Sequence, residues 1–202
     1  MSDLLQNVSR ETQERLSIYL ELLKKWNKKI NLVSPATLKS AWQRHFVDSI
    51  QICQLSDKSG QKWVDMGSGA GFPGLVVSIV GMEDDTPHHV TLIESDMRKC
   101  MFLRTVIREV GAPAEVINDR IERISSLEAD IVSARALADL KILMGYADHH
   151  LKPDGMALFL KGNNWKTELK DAETRWTFDY NAHNSLTENG SVIMNVSGIQ
   201  HV

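Results

Sequence analysis

Four of the chain's twelve glycines fall within the eleven residues VDMGSGAGFPG (64–74). Glycine concentrated in this way lets a backbone turn with positive φ, and it lets a ligand lie closer than a Cβ would permit. The stretch follows a short apolar run, KWVDM (62–66), and runs into FPGLVVSIV (72–80), so it reads as the loop of a strand–loop–helix unit. In an open parallel sheet such loops hold ligands outside the carboxyl ends of the strands. Glu94 closes a second apolar run, HVTLIE (89–94), and brings to the next strand end a carboxylate able to accept both hydroxyls of a ribose. A tight strand–helix turn followed by an acidic helix cap is the plainer account of the same residues.

The loop parses in two ways. Gly69, Gly71 and Gly74 satisfy G-x-G-x-x-G, the dinucleotide fingerprint of nicotinamide oxidoreductases. Gly67, Gly69 and Gly71, preceded by Asp65, satisfy D-x-G-x-G, the S-adenosylmethionine pattern of class I methyltransferases. Register favours the second, because Gly67 follows the strand directly and Gly69 comes two residues late. Pro73 suits the first turn of the helix, where a missing N–H is harmless. The glycines then give clearance for a ribose and an amino-acid tail.

Several methyl-transfer chemistries lack their residues. Exocyclic amines are usually methylated by an Asn/Asp-Pro-Pro-aromatic tetrad after the fourth strand, where this chain reads SARALADL (133–140). Methylation at a ring carbon needs a thiolate nucleophile, and Cys53 and Cys100 fall inside expected helices, away from strand ends. No histidine–carboxylate pair stands out as a base. An acceptor that already has a free lone pair, such as guanine N7, needs none; proximity carries most of that catalysis.

The elements that must position these residues alternate. Residues 9–27 read as an amphipathic helix with Leu16, Tyr19, Leu20 and Leu23 inward, and a second helix is expected over 36–52. Strands are expected at 62–66, 89–94, 114–118, 129–134 and 156–161, and near 175–182 and 190–197. Helices are expected at 72–80, 96–111 and 137–151. This order predicts an α/β fold with a seven-stranded, mostly parallel sheet (a class I, Rossmann-like methyltransferase domain at 59–202) behind an N-terminal helical extension at 1–58.

Composition fits a water-exposed globular chain: 43% hydrophobic, 24% charged, net charge −3. The start shows no basic segment followed by an apolar core, and no apolar run reaches the length of a membrane helix. With two cysteines at no metal or redox spacing, a cytoplasmic location and no metal are expected. RNA contact would fall to a local basic face, for which Lys24, Lys25, Lys28, Lys29, Arg98, Lys99, Arg104 and Arg108 are candidates; a charged run is also simply a solvated helix face.

The sequence resembles the small-subunit ribosomal RNA guanine-N7 methyltransferases, also called the glucose-inhibited division protein B family. The likeness runs from about residue 15 to 162, through KWNKKINLVS (25–34), RHFVDSI (44–50), VDMGSGAGFPGL (64–75), LIESDMRKCMFLRTV (92–106), DRIE (119–122), ARALADL (134–140) and FLKG (159–162). It implies a cytoplasmic, monomeric enzyme that takes its methyl group from S-adenosylmethionine and modifies one guanine in a 16S ribosomal RNA loop near the decoding site, on free RNA or a 30S particle. Gly67 and Phe72 would contact the cofactor with Asp65, Gly69, Gly71 and Glu94; Ile121 and Glu122 would flank its adenine. Arg135 would act in catalysis at the fourth strand's end, between cofactor and substrate. Phe72 stands where the family usually has Leu, Glu94 where it has Asp, and Ser133-Ala134 where it has Ile-Ser.

Each of these has a plainer reading. Arg44 and Asp48 are four apart and read as a helical ion pair beside a partly buried His45; the resemblance makes Arg44 and His45 RNA-positioning residues at the pocket mouth. Arg135 could merely close a strand. Arg120 could pair with Asp119 or Glu122, and Lys161 could cap a turn; both are otherwise RNA contacts. No function is assigned after residue 162.

Overall fold

The computed structural model describes residues 8–56, 60–85 and 87–202. Seven strands form one sheet: β1 (Lys62–Met66), β2 (His89–Ile93), β3 (Ala114–Ile117), β4 (Ala129–Arg135), β5 (Leu151–Lys161), β6 (Trp176–Asn184) and β7 (Val192–His201). Their order is β3-β2-β1-β4-β5-β7-β6. The first five run parallel, and β7 is antiparallel to both β5 and β6. β1 has β2 on one side and β4 on the other, so the strand order reverses there and opens a crevice above the loop that follows β1.

The helices are α1 (Arg10–Asn27), α2 (Pro35–Leu38), α3 (Asp48–Cys53), α4 (Gly74–Val80), α5 (Met97–Val110), α6 (Leu140–His150) and α7 (Trp165–Ala172). Ser9 caps α1 by accepting from the Thr12 N–H, and Leu16, Tyr19 and Leu23 form its buried stripe. Asp96 caps α5 through the Arg98 N–H, and Gly111, left-handed at φ 68, ends it. One face of the sheet packs against α1, α3, α4 and α5, around Leu16, Phe46, Phe72, Leu75 and Leu103. The other packs against α6 and α7, around Leu140, Leu143, Phe159 and Leu169. The N-terminal helices thus share one core with the glycine loop. The expected division between residues 58 and 59 lies outside the described residues.

Two expectations are corrected, and one helix is new. The helix expected over 36–52 is broken into α2, a π-helical turn at Trp42–Val47 and α3. The wide turn buries the consecutive residues His45, Phe46 and Val47 together, which a regular helical stripe does not. The helix expected from residue 72 starts at Gly74, because Gly71 turns at φ 92 and Pro73 stands just before the first turn. Helix α7 was not expected at all, although Trp165, Leu169 and Ala172 have helical spacing.

Candidate functional site

A cavity of about 950 Å³ lies over the carboxyl ends of the central strands. The glycine loop, the residues after β2 and β3, the end of β4 and the π-helical segment line it, together with the loop between β6 and β7. That volume suits a nucleoside-sized ligand with room beside it.

The four loop glycines serve different ends. Gly67, Gly69 and Gly71 all have left-handed φ, at 64, 56 and 92. A Cβ on Gly69 would meet nothing closer than the Gly67 carbonyl at 3.8 Å, so Gly69 presents bare backbone to the cavity. A Cβ on Gly67 would strike the Leu137 side chain. A Cβ on Gly71 would lie 2.5 Å from the Tyr19 hydroxyl and 3.0 Å from Leu103 Cδ2. Gly74 is packed against Asp65 and Leu92. Gly69 therefore leaves open space on the cavity side, whereas Gly71 and Gly74 are glycine because the protein itself fills the space. Gly71 and Asp65 stand behind the cavity wall rather than on it.

Asp65 is fully buried. It accepts from the Ser133 hydroxyl at 2.7 Å, and that hydroxyl accepts from Trp63 Nε1 at 2.9 Å. Burial pushes its carboxyl up to about 6, against hydrogen bonds from Ser133, Ser68 and Gly74 and the charge of Arg135. Glu94 reaches the cavity directly. Its carboxylate accepts the backbone N–H of Gly69 at 2.9 Å and of Asp96 at 2.7 Å, which ties the glycine loop to the start of α5. Cys100 is not remote from the strand ends, as its helical position implied. Its Sγ lies 3.1 Å from the Glu94 carbonyl, because the first turn of α5 folds back over the end of β2. Burial and Glu94 raise the thiol, which keeps it un-ionised and unreactive.

Phe72 joins the two halves of the site. Tyr19 of α1 stacks on it at 5.2 Å, His45 stacks on it at 5.1 Å, and the Arg135 guanidinium sits 4.9 Å from its ring centre. The Tyr19 hydroxyl donates to the Ala70 carbonyl, so the N-terminal helix grips the glycine loop itself. Arg135 Nη1 donates to the Arg44 carbonyl at 3.2 Å and pairs with Asp48 at 3.5 Å. Ala136, next to it, is held at φ 51, an unfavourable conformation for a residue with a Cβ, and lines the cavity. Both ring nitrogens of His45 are buried without a hydrogen-bond partner. Burial, with Arg135 and Arg44 nearby, lowers its pKa to about 4, so the imidazole is neutral at physiological pH.

Ile121, Glu122 and Arg120 line the same cavity after β3. Ile121 is buried, and the Tyr146 hydroxyl donates to Glu122 at 2.6 Å. Arg120 is exposed. Lys161 lines the cavity, but its ammonium bonds the Ala138 carbonyl at 3.0 Å and Glu168 at 2.5 Å. Glu168, on α7, also accepts the Leu140 N–H that begins α6. Of the basic candidates in the two long helices, Lys99 lines the cavity; Lys24, Arg98 and Arg108 are paired with neighbouring carboxylates.

The sequence reading missed the segment between β6 and β7. Ser185, Thr187, Glu188 and Ser191 line the cavity. Asp48 Oδ1 accepts from Thr187 Oγ1 at 2.7 Å and Ser185 Oγ at 3.3 Å, and the Leu186 N–H donates to Gln51 Oε1 at 3.0 Å. The segment SLTENGS (185–191) is polar and aperiodic. Only the density of turn-forming residues marked it.

Sheet order, the crevice at the strand-order reversal and the D-x-G-x-G loop define a class I methyltransferase fold. Solved structures show the same fold. A TehB-like S-adenosylmethionine-dependent methyltransferase from Corynebacterium glutamicum matches at TM-score 0.58 and 16% identity, over 92% of this chain and 99% of that one. One from Aquifex aeolicus matches at TM-score 0.57 and 14% identity, over 89% and 97%.

The chain belongs to the rRNA small subunit methyltransferase G family, whose model matches residues 12–196. A ribosomal RNA small subunit methyltransferase G from Ruegeria pomeroyi is 50% identical over 97% of this chain and 96% of its own length. Another, from Paramagnetospirillum magneticum, is 47% identical over 94% and 90%. The methyltransferase parse of the glycine loop stands, and the nicotinamide parse falls with it.

Proposed function

We propose that the protein transfers the methyl group of S-adenosylmethionine to N7 of a guanine in 16S ribosomal RNA, acting in the cytoplasm as a monomer. The observation that carries this reading is the single cavity that joins the glycine loop to the Arg44–Asp48 segment through Phe72. The residues present suit the cofactor. Gly69 offers open backbone, Glu94 a buried carboxylate at the end of β2, and Ile121 an apolar surface for adenine. Glu122 and Lys99 complete the rim. Bound there, S-adenosylmethionine supplies an electrophilic methyl group on a sulfonium.

The chain's own residues then have to hold a base in line and keep water out. Guanine N7 carries its lone pair in the ring plane, so no proton has to leave before it attacks. Arg135 is fixed over Phe72 by Asp48 and the Arg44 carbonyl, and its remaining N–H groups can donate to guanine O6. Adenine has a donor at that place and is disfavoured. Neutral His45 adds no positive charge where the base becomes cationic on methylation. Asp65 supports the loop from behind through Ser133. Lys161 fastens the end of β5 to α7 and to the loop before α6 at the cavity wall, and Arg120 stands exposed at the rim, near Glu122.

Mapping 7-methylguanosine in 16S ribosomal RNA from cells with and without this protein tests the reading. One guanine is expected to lose its N7 methyl group when the protein is absent. An unchanged methylation map would overturn the proposal.

A further inference from the structure

Arg44 and Glu188 form an ion pair of 2.9 Å at the cavity rim, with side chains 39% and 44% exposed. Their partnership joins segments that are far apart in the chain. Hydrogen bonds from the Ser185 and Thr187 hydroxyls to the Asp48 carboxylate and from the Leu186 N–H to Gln51 fix the loop that carries Glu188. The loop is therefore docked without Glu188, and the ion pair is an addition to it. An ion pair this exposed contributes little to stability and exchanges partners readily.

A guanidinium donates to carboxylate and phosphate oxygens in the same forked geometry. Arg44 is also joined through its backbone to the guanidinium of Arg135, so its side chain can change partner while that contact stays in place. The chain carries a net charge of −3, and a carboxylate at the mouth of the cavity repels an incoming polyanion unless a cation offsets it.

We propose that Arg44 is a binding site for one phosphodiester of the substrate RNA and that the Glu188 carboxylate occupies it until RNA displaces it. The inference rests on the RNA substrate proposed above. Glu188 then sets a threshold. It lowers affinity equally for every polyanion that uses Arg44, so only one that also fills the rest of the cavity binds tightly.

Equilibrium binding of a fluorescein-labelled 16S ribosomal RNA hairpin, followed by anisotropy, tests this with wild type, Glu188→Gln, Arg44→Ala and the double variant. Thermal unfolding checks that each is folded. Glu188→Gln is expected to tighten binding roughly three- to tenfold at low salt and to steepen the log–log salt dependence by about one unit, since one more cation is free to release counterions. Arg44→Ala is expected to weaken binding about tenfold, and Glu188→Gln should then change nothing in that background. Weaker binding by Glu188→Gln, or an equal gain with and without Arg44, would overturn the proposal. Methyl transfer to 30S subunits by wild type is scored separately. Its failure while the hairpin still binds would count against the N7 reaction and leave the binding cycle to decide on Arg44.

Discussion

The two halves of the cavity are built differently. The half formed by the glycine loop and Glu94 is drawn from residues 65–96, is mostly buried, and is held by backbone geometry and by backbone N–H groups that donate to the Glu94 carboxylate. The half formed by Arg44–Asp48, Arg135 and Ser185–Ser191 is drawn from three distant parts of the chain. Side-chain hydrogen bonds and partly exposed ion pairs hold it. A ligand common to a whole fold class can be met by a rigid local loop. A particular RNA needs residues that are distant in sequence and that only the complete fold brings together.

The largest expected effects lie in the first half. Gly71→Ala combines a left-handed φ with a Cβ placed 2.5 Å from the Tyr19 hydroxyl, and should cost about 3–5 kcal/mol of stability in urea unfolding. Gly69→Ala has open space around its Cβ and should cost only about 1–2 kcal/mol. It should nevertheless weaken S-adenosylmethionine binding tenfold or more in calorimetry. Equal effects of the two variants on stability would erase the distinction drawn between them.

Asp65 gives a pH-dependent effect. Its folded pKa, about 6, lies above the ordinary 3.8, so the folded state holds this proton more tightly than the unfolded state. Its penalty is absent below the unfolded value, grows as pH rises, and is complete above the folded value. Relative to Asp65→Asn, wild type should lose about 2–3 kcal/mol between about pH 4 and pH 7. Parallel stability curves for the two proteins would mean that the carboxyl is not buried as described.

In the second half, Asp48→Ala releases both Arg135 and the β6–β7 segment. The expected result is roughly a 10²-fold lower kcat/KM for RNA, from lost orientation, with cofactor affinity changed less than threefold. Faster hydrogen exchange across 185–191 should accompany it. A matching loss of cofactor affinity would join the two halves into one unit. The smallest effect is expected for Arg108→Ala. Arg108 is paired with Glu109 and 72% exposed, and RNA binding should change by less than about twofold.

The same division explains what the sequence disclosed. The alternation of strands and helices, the glycine loop and Glu94 are local patterns, and period and spacing reveal them. The purpose of Gly71 was hidden, because the atom it makes room for belongs to Tyr19, more than fifty residues earlier in the chain. The RHFVDSI segment was singled out by its resemblance to a family. Its geometry, a π-helical turn that buries His45 against Phe72, had no local signal. Ser185–Ser191 was passed over altogether, since its anchor, Asp48, is 137 residues from Ser185. Lys161 looked like a free cation at a strand end because its partner, Glu168, sits on the helix that the sequence reading omitted.

The most direct measurement is methyl transfer itself. Purified protein is incubated with methyl-labelled S-adenosylmethionine and 30S subunits, and the ribosomal RNA is digested to nucleosides. The account predicts label in 7-methylguanosine from a single site in 16S RNA. Label in any other nucleoside, or none in RNA, would contradict it.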